Sequence, residues 1–169
     1  MRYRIEPLAA GHDRRGFASG SEPLDRYFQV QVGQDVRRRV AACYVAIDLE
    51  LSAIAGYYTL SAGGVPLAEV PEALSRRLPR YRAVPVALLG RLAVHRNWQG
   101  QKLGAALLWD AILRATRSEV AMFALVVDAK DDQAAAFYRH QGFIAIDSLS
   151  QRLVLPLTDR TLVNNPPSH

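Results

Sequence analysis

The sequence predicts a single α/β domain on a mixed, mostly antiparallel sheet with helices on both faces. Three observations predict it. Apolar, β-branched runs and amphipathic helical stretches alternate in the order β, α, β, β, β, α, β, α, β, β. The strand at 85–94 runs into a small-residue turn and then a helix at 103–117. A second strand–helix pair, Val120–Asp128 and Asp131–His140, precedes a closing hairpin at Phe143–Asp147 and Arg152–Leu157. With 169 residues, half of them hydrophobic, the chain can bury one real core. No internal repeat or second domain is evident. The domain is expected over 1–163, followed by a polar, proline-bearing tail at 164–169 that should fray.

The earlier elements follow from local chemistry. Residues 3–8 form a first strand and Asp13–Ser21 a loop. Ser21 is a candidate N-cap for the next helix, and Pro23 is tolerated in its first turn. Leu24, Phe28 and Val32 share one face of that helix, which runs towards Arg37–Arg39. Ala41–Ile47 and Ile54–Ala62 read as antiparallel strands joined by a turn near 50–52. The proline-punctuated stretch 66–84 is irregular, with a short helix at Glu72–Leu78.

Composition narrows the classes. No stretch is apolar enough to span a bilayer. Met1–Glu6 lacks an apolar signal region, which points to a cytoplasmic protein. Cys43 is the single cysteine, so no internal disulfide forms; its place in a strand reads as a small buried hydrophobe. The net charge of +5 is mainly arginine, clustered at 37–39 and at 76, 77, 80 and 82. Such clusters serve either as solvated faces or as contacts for a phosphate-rich partner. The four histidines show no metal-ligand spacing, so no metal is expected.

The chemistry-bearing segment lies between strand and helix: Gln99, Gly100, Gln101, Lys102, Leu103 and Gly104. Backbone N–H groups at a helix start have no partner of their own and face the positive end of the helix dipole. They suit an anion such as a pyrophosphate. The helix beyond puts Leu103, Leu107, Leu108 and Ala111 on one face. A second motif runs Ala134-Ala135-Ala136-Phe137-Tyr138-Arg139-His140-Gln141-Gly142-Phe143. Its periodicity buries Ala134 and Phe137 and leaves Tyr138 on another side. Gly142 should stop the helix as a left-handed cap.

These two motifs, in this order and spacing, resemble those of the GNAT family of N-acetyltransferases. The first resembles that family's acetyl-CoA loop, Gln/Arg-x-x-Gly-x-Gly/Ala, with Lys102 in place of the middle glycine. A left-handed backbone there costs a lysine roughly 1 kcal/mol or more, which an ammonium near phosphate would offset. The second resembles the family's helix ending in Phe-Tyr-x-x-x-Gly-Phe. The resemblance implies that strands 85–94 and 120–127 splay apart and that acetyl-CoA binds as cosubstrate. Leu92, Ala93 and Val94 then offer backbone groups to pantetheine, and residues 99–104 hold the pyrophosphate.

The resemblance also has a narrower form, covering about residues 5–157. Gly20–Phe28 and Gly56–Ala62 look like the toxin branch of the family, found in toxin–antitoxin pairs. Ala18 departs from that branch, which often has cysteine there. That likeness implies acetylation of the α-amino group of aminoacyl-tRNA, a ribbon–helix–helix antitoxin, operator DNA bound through the antitoxin, and a homodimer. Tyr138 is then the acid for the leaving thiolate, and the Val94 N–H polarises the acetyl carbonyl. The ester already lowers the α-amino pKa, so no dedicated base is required. Arg37, Arg38 and Arg39 are candidate phosphate contacts, and Arg91 is expected to reach the acceptor side. Trp98 and Trp109 read as packing residues, Asp128, Asp131 and Asp132 as caps of the last helix, and His12 and His95 as loop residues. His140 sits at a helix C-terminus. Glu69 and Glu72 lie near the expected acceptor cleft, with no spacing that makes either a base. The alternatives are an acetyltransferase for a small amine or a protein N-terminus, and a non-catalytic acyl-CoA-binding partner.

Overall fold

The computed structural model describes residues 1–76, 78–80, 82–147 and 150–157. The expected tail at 164–169, the end of the expected domain at 163, and Arg77 of the second basic cluster lie outside them. The strands are β1 (Tyr3–Pro7), β2 (Ala42–Asp48), β3 (Ala53–Pro66), β4 (Ala83–Val94), β5 (Ala124–Asp128), β6 (Ile144–Ala145) and β7 (Arg152–Pro156). The helices are α1 (Glu22–Arg26), α2 (Val32–Arg37), α3 (Glu72–Ser75), α4 (Leu103–Thr116) and α5 (Asp132–His140). A π-helical turn, Tyr27–Gln31, joins α1 to α2. The strands form a seven-stranded sheet in the order β1-β2-β3-β4-β5-β7-β6. The chain divides into two compact units, Met1–Ser61 with Leu89–Ala111, and Ala62–Leu88 with Ile112–His169.

In the first unit the sheet is covered on both faces because side chains alternate along its strands. Cys43, Val45, Tyr57 and Ala93 point to one face, where Phe17, Tyr27, Phe28 and Val32 close a core. Phe28 stacks on Tyr57 with ring centroids 4.2 Å apart. On the other face Tyr58 donates to Asp110 of α4 at 2.6 Å. Leu103, Leu107, Leu108 and Ala111 are buried, as the helical periodicity expects. At Gly56 there is no room for a side chain between the sheet and α4. A Cβ there would lie 2.8 Å from Leu107 Cδ1 and 2.9 Å from the Ala93 carbonyl oxygen. The β2–β3 strands pair antiparallel, as expected, with a bulge between Ala46 and Ile47.

In the second unit Val65, Val70, Leu74, Val84, Val86, Phe123, Ala124, Val126 and Val154 form one core. β5 and β6 both pair antiparallel with β7. β5 is shorter than the expected Val120–Asp128: it starts at Ala124, and Val120 is exposed. Its entry is fixed by the Phe123 N–H donating to the Pro85 carbonyl at 2.8 Å. The short helix expected at Glu72–Leu78 closes by Ser75.

One cap differs from expectation, and another is narrowed from three candidates to one. Ser21 occupies the N-cap position of α1 without a side-chain cap bond. Asp25 Oδ1 instead accepts from Ser19, N–H at 2.8 Å and Oγ at 2.6 Å. At α5 the cap is Asp131, whose Oδ1 accepts from the Ala134 N–H at 2.8 Å. Asp128 pairs with Arg152 across the β5–β7 ladder at 2.8 Å, and Asp132 accepts from Gln151. Both carboxylates are thus taken by β7 and its approach. Trp109 is a further correction, being 53% exposed on the outer side of α4.

Candidate active site

The turn between β4 and α4 is braced at its root. After Val94 the chain is held by the His95 N–H on the Ala55 carbonyl at 2.8 Å and the Arg96 N–H on the Ala18 carbonyl at 2.9 Å. His95 is a loop residue, as expected, and its Nδ1 accepts from the Asn97 N–H at 3.1 Å. Trp98 is buried, and its indole Nε1 donates to Asp48 Oδ2 at 2.7 Å. Asp48, itself fully buried, also accepts from Arg2 and from the amides of Glu50 and Leu51. These donors, the indole above all, hold its carboxyl below the usual range. The Gln99 side-chain amide donates to the Ser19 carbonyl at 2.6 Å and the Val94 carbonyl at 2.9 Å. Gln101 Oε1 accepts from Tyr3 Oη at 3.1 Å.

On that root the turn takes a left-handed course. Gly100 has φ +77° and Lys102 φ +64°. The lysine therefore occupies a glycine-type conformation, and its side chain is exposed. The Ala106 N–H bonds the Lys102 carbonyl at 3.2 Å. The amides of α4 before Ala106 have no acceptor within the helix. Gly104 leaves the space ahead of them open; a Cβ there would meet only Val94 Cγ2, at 3.8 Å. Amides without a helical acceptor, the positive end of a 14-residue helix and an adjacent ammonium fit a diphosphate. Leu103 is buried and anchors the turn, while Gly100, Gln101 and Lys102 are exposed.

In the second unit α5 carries Tyr138. The buried positions are Ala135 and Tyr138, while Ala134 and Phe137 are half-buried. This corrects the sequence expectation by one helical step: the sheet-facing stripe runs through 135 and 138. Gly142 ends the helix at φ +102°, as expected. The Phe143 N–H returns to the Tyr138 carbonyl at 3.1 Å, and the Phe143 and Phe137 rings flank Tyr138 at 5.4 and 5.1 Å. Burial pushes the phenol up to about 12, so it stays protonated at neutral pH. Its hydroxyl makes no hydrogen bond among the described residues.

The remaining candidates separate clearly. Arg37, Arg38 and Arg39 are exposed at the end of α2. Arg91 is half-buried with its guanidinium 3.5 Å from the Tyr27 ring centroid, a cation–π contact. Cys43 is buried and its thiol is pushed up to about 12, which leaves it inert. His12 accepts from the Ala9 N–H through Nδ1 and contacts Glu6 through Nε2 at 3.0 Å. Glu69 and Glu72 are exposed, and Glu72 pairs with Arg76. Sequence reasoning missed Asp48, Ser19 and Tyr3 as braces of the turn. Their partners lie 50, 80 and 98 positions away, so no local spacing marks them.

The geometry matches known proteins. The acetyltransferase (GNAT) domain family matches residues 81–159. A tRNA-acetylating toxin of Mycobacterium tuberculosis (strain ATCC 25618 / H37Rv) is 34% identical over 161 residues, spanning 94% of this chain and 95% of the relative. Among solved structures, AtaT complexed with acetyl-methionyl-tRNAfMet superposes with a TM-score of 0.87 at 27% identity, covering 96% of this chain and 99% of that one. AtaTR bound with acetyl-CoA gives 0.83 at 27%, covering 97% and 99%. A tyrosine-to-phenylalanine AtaT mutant bound to the C-terminus of the antitoxin AtaR gives 0.81 at 25%, covering 98% and 100%. The chain belongs to the GNAT acetyltransferase family, in the branch that holds these toxins, and is an N-acetyltransferase that uses acetyl-CoA.

Proposed function

We propose that this chain acetylates the α-amino group of an aminoacyl-tRNA and thereby blocks translation, as a toxin neutralised by a cognate antitoxin. The observation that carries this reading is the similarity to a tRNA-acetylating toxin from end to end, beyond the acetyltransferase core alone. Acetyl-CoA supplies the activated thioester carbonyl. Gln99, Gly100, Gln101, Lys102, Leu103 and Gly104 form the diphosphate turn, which Gln99 braces and Lys102 charges. Leu92, Ala93 and Val94 offer main-chain groups to the pantetheine arm, and the Val94 N–H polarises the acetyl carbonyl.

Tyr138 donates the proton that the leaving thiolate needs. Its hydroxyl stays protonated at neutral pH and has no hydrogen-bond partner among the described residues, which leaves its proton available to a ligand. The acceptor amine is acidified by its own ester and deprotonates near neutrality without a dedicated base. Arg37, Arg38 and Arg39 contact phosphates of the tRNA, and Arg91 orders the acceptor side through Tyr27. The partners on this reading are a ribbon–helix–helix antitoxin, operator DNA held through that antitoxin, and a second copy of the chain. The compartment is the cytoplasm.

Labelled acetyl transfer to total charged tRNA tests the reading. Label recovered on aminoacyl-tRNA, and removed by deacylation, supports it. A small-amine acetyltransferase would instead label amines, with little response to added salt.

A further inference from the structure

Two arginines converge on Gly33. Where the π-helical turn ends, the Val32 N–H reaches back five residues to the Tyr27 carbonyl, in place of four to Phe28. The Phe28 carbonyl accepts instead from Arg14 Nη1 at 3.1 Å. That bond holds the half-buried Arg14 against α2. A Cβ on Gly33 would lie 3.2 and 3.3 Å from Arg14 Nη2 and Nη1, and 3.4 Å from Arg37 Nη1. Two guanidinium groups thus touch one point, and their nitrogens stand within roughly 7 Å of each other.

Neither arginine makes an ion pair among the described residues, whereas Arg2, Arg4, Arg15, Arg76 and Arg152 each sit on a carboxylate. Like charges held together without a counter-ion are unfavourable, and an anion between them reverses the sign. Nitrogens no more than about 7 Å apart can share a single phosphate across the gap between them, through charge-assisted bonds of about 2.8 Å. Glycine at 33 keeps the floor of that gap clear.

We propose that Arg14, Arg37 and Gly33 form a binding site for one backbone phosphate of the RNA substrate. The inference rests on the aminoacyl-tRNA reading. The exposed Arg38 and Arg39 continue the positive surface beyond a single anion, as a polyanionic strand requires.

The test measures binding of deacylated bulk tRNA by the full-length protein across a salt series, alongside steady-state acetylation of charged tRNA. Arg37→Gln should raise KM for charged tRNA about tenfold and lower the salt slope by roughly 0.7 to 0.9, the share of one phosphate. It should leave kcat and the KM for acetyl-CoA unchanged. Gly33→Ala keeps every charge and adds helix propensity while its methyl presses on the Arg14 guanidinium, so it should weaken tRNA binding, with a thermal melt confirming that the variant is folded. Wild-type KM and slope in both variants would overturn the site. So would a loss confined to poly-L-glutamate binding, which would mark a surface for an acidic protein. Failure of the wild-type protein to acetylate charged tRNA defeats the underlying reading. Normal wild-type activity with unaltered variants defeats only this site.

Discussion

Replacing Lys102 with glycine separates backbone strain from ligand attraction, because the two respond with opposite sign. Lys102 sits at φ +64° on an exposed turn. An L-residue there costs about 1 to 2 kcal/mol, and glycine removes that cost. Glycine also gives the unfolded chain more freedom, which returns about 0.5 to 1 kcal/mol. The net gain is about 0 to 1.5 kcal/mol, a rise in Tm of up to roughly 6 °C for a domain of this size. Acetyl-CoA affinity should move the other way. Loss of one charge-assisted contact to a phosphate is worth about 1.5 to 3 kcal/mol, so Kd should rise at least about tenfold. Thermal melting without ligand and isothermal titration with acetyl-CoA read the two quantities separately. Lys102→Asn, which also tolerates this conformation but is uncharged, should bind as weakly as the glycine variant. A glycine variant that is more stable and binds acetyl-CoA as tightly as wild type would refute the reasoning, and the lysine would then be strained to no purpose.

Four further outcomes follow from other parts of the fold. Tyr138→Phe should bind acetyl-CoA normally while kcat falls at least about a hundredfold; unchanged turnover removes Tyr138 from the mechanism. Because burial raises that phenol to about 12, wild-type kcat should rise as the acceptor amine deprotonates, then stay flat to about pH 10. A descending limb near pH 9 would place a different acid in the role. Gly56→Ala drives a methyl to 2.9 Å from the Ala93 carbonyl, so it should destabilise by about 1 to 3 kcal/mol and lower Tm by several degrees. An unshifted melt would show that α4 is free to retreat. Asp48→Asn tests the brace beneath Trp98. The folded carboxyl titrates below its unfolded value of about 3.9, so its stabilisation is present above that pH and fades as pH falls through the lower folded value. The Tm gap between wild type and variant should therefore be full at pH 7 and close in strong acid; a gap that is constant with pH contradicts the account.

Legibility in the sequence followed the range of the forces. The stripe Leu103, Leu107, Leu108 and Ala111 and the strands around Tyr57 and Val126 obey short periods, and these elements were readable with shifted ends. The left-handed Lys102 was foreseeable from the glycine it replaces in the motif. The phase of α5 was not. Four apolar residues in succession, Ala134 to Phe137, admit more than one stripe, and only packing against β7 selects 135 and 138. The π-helical turn was invisible for a related reason: the i→i+5 bond at Val32 accompanies non-local contacts of Phe28, whose carbonyl accepts from Arg14 and whose ring meets Phe17. Asp128 looked like a cap because caps are local, but Arg152 across the ladder claims it. In the site, the turn was legible and its supports were not, since Asp48 and Ser19 reach it only through the folded sheet.

The most direct measurement of the central claim is transfer of radiolabelled acetyl from acetyl-CoA to aminoacyl-tRNA by the purified protein, read after nuclease digestion. Label is expected on the amino acid of the 3′-terminal aminoacyl-adenosine, reduced at least about a hundredfold by Tyr138→Phe and suppressed by added salt. Label on free amines or protein N-termini alone, or no transfer from a folded protein that binds acetyl-CoA, would contradict it.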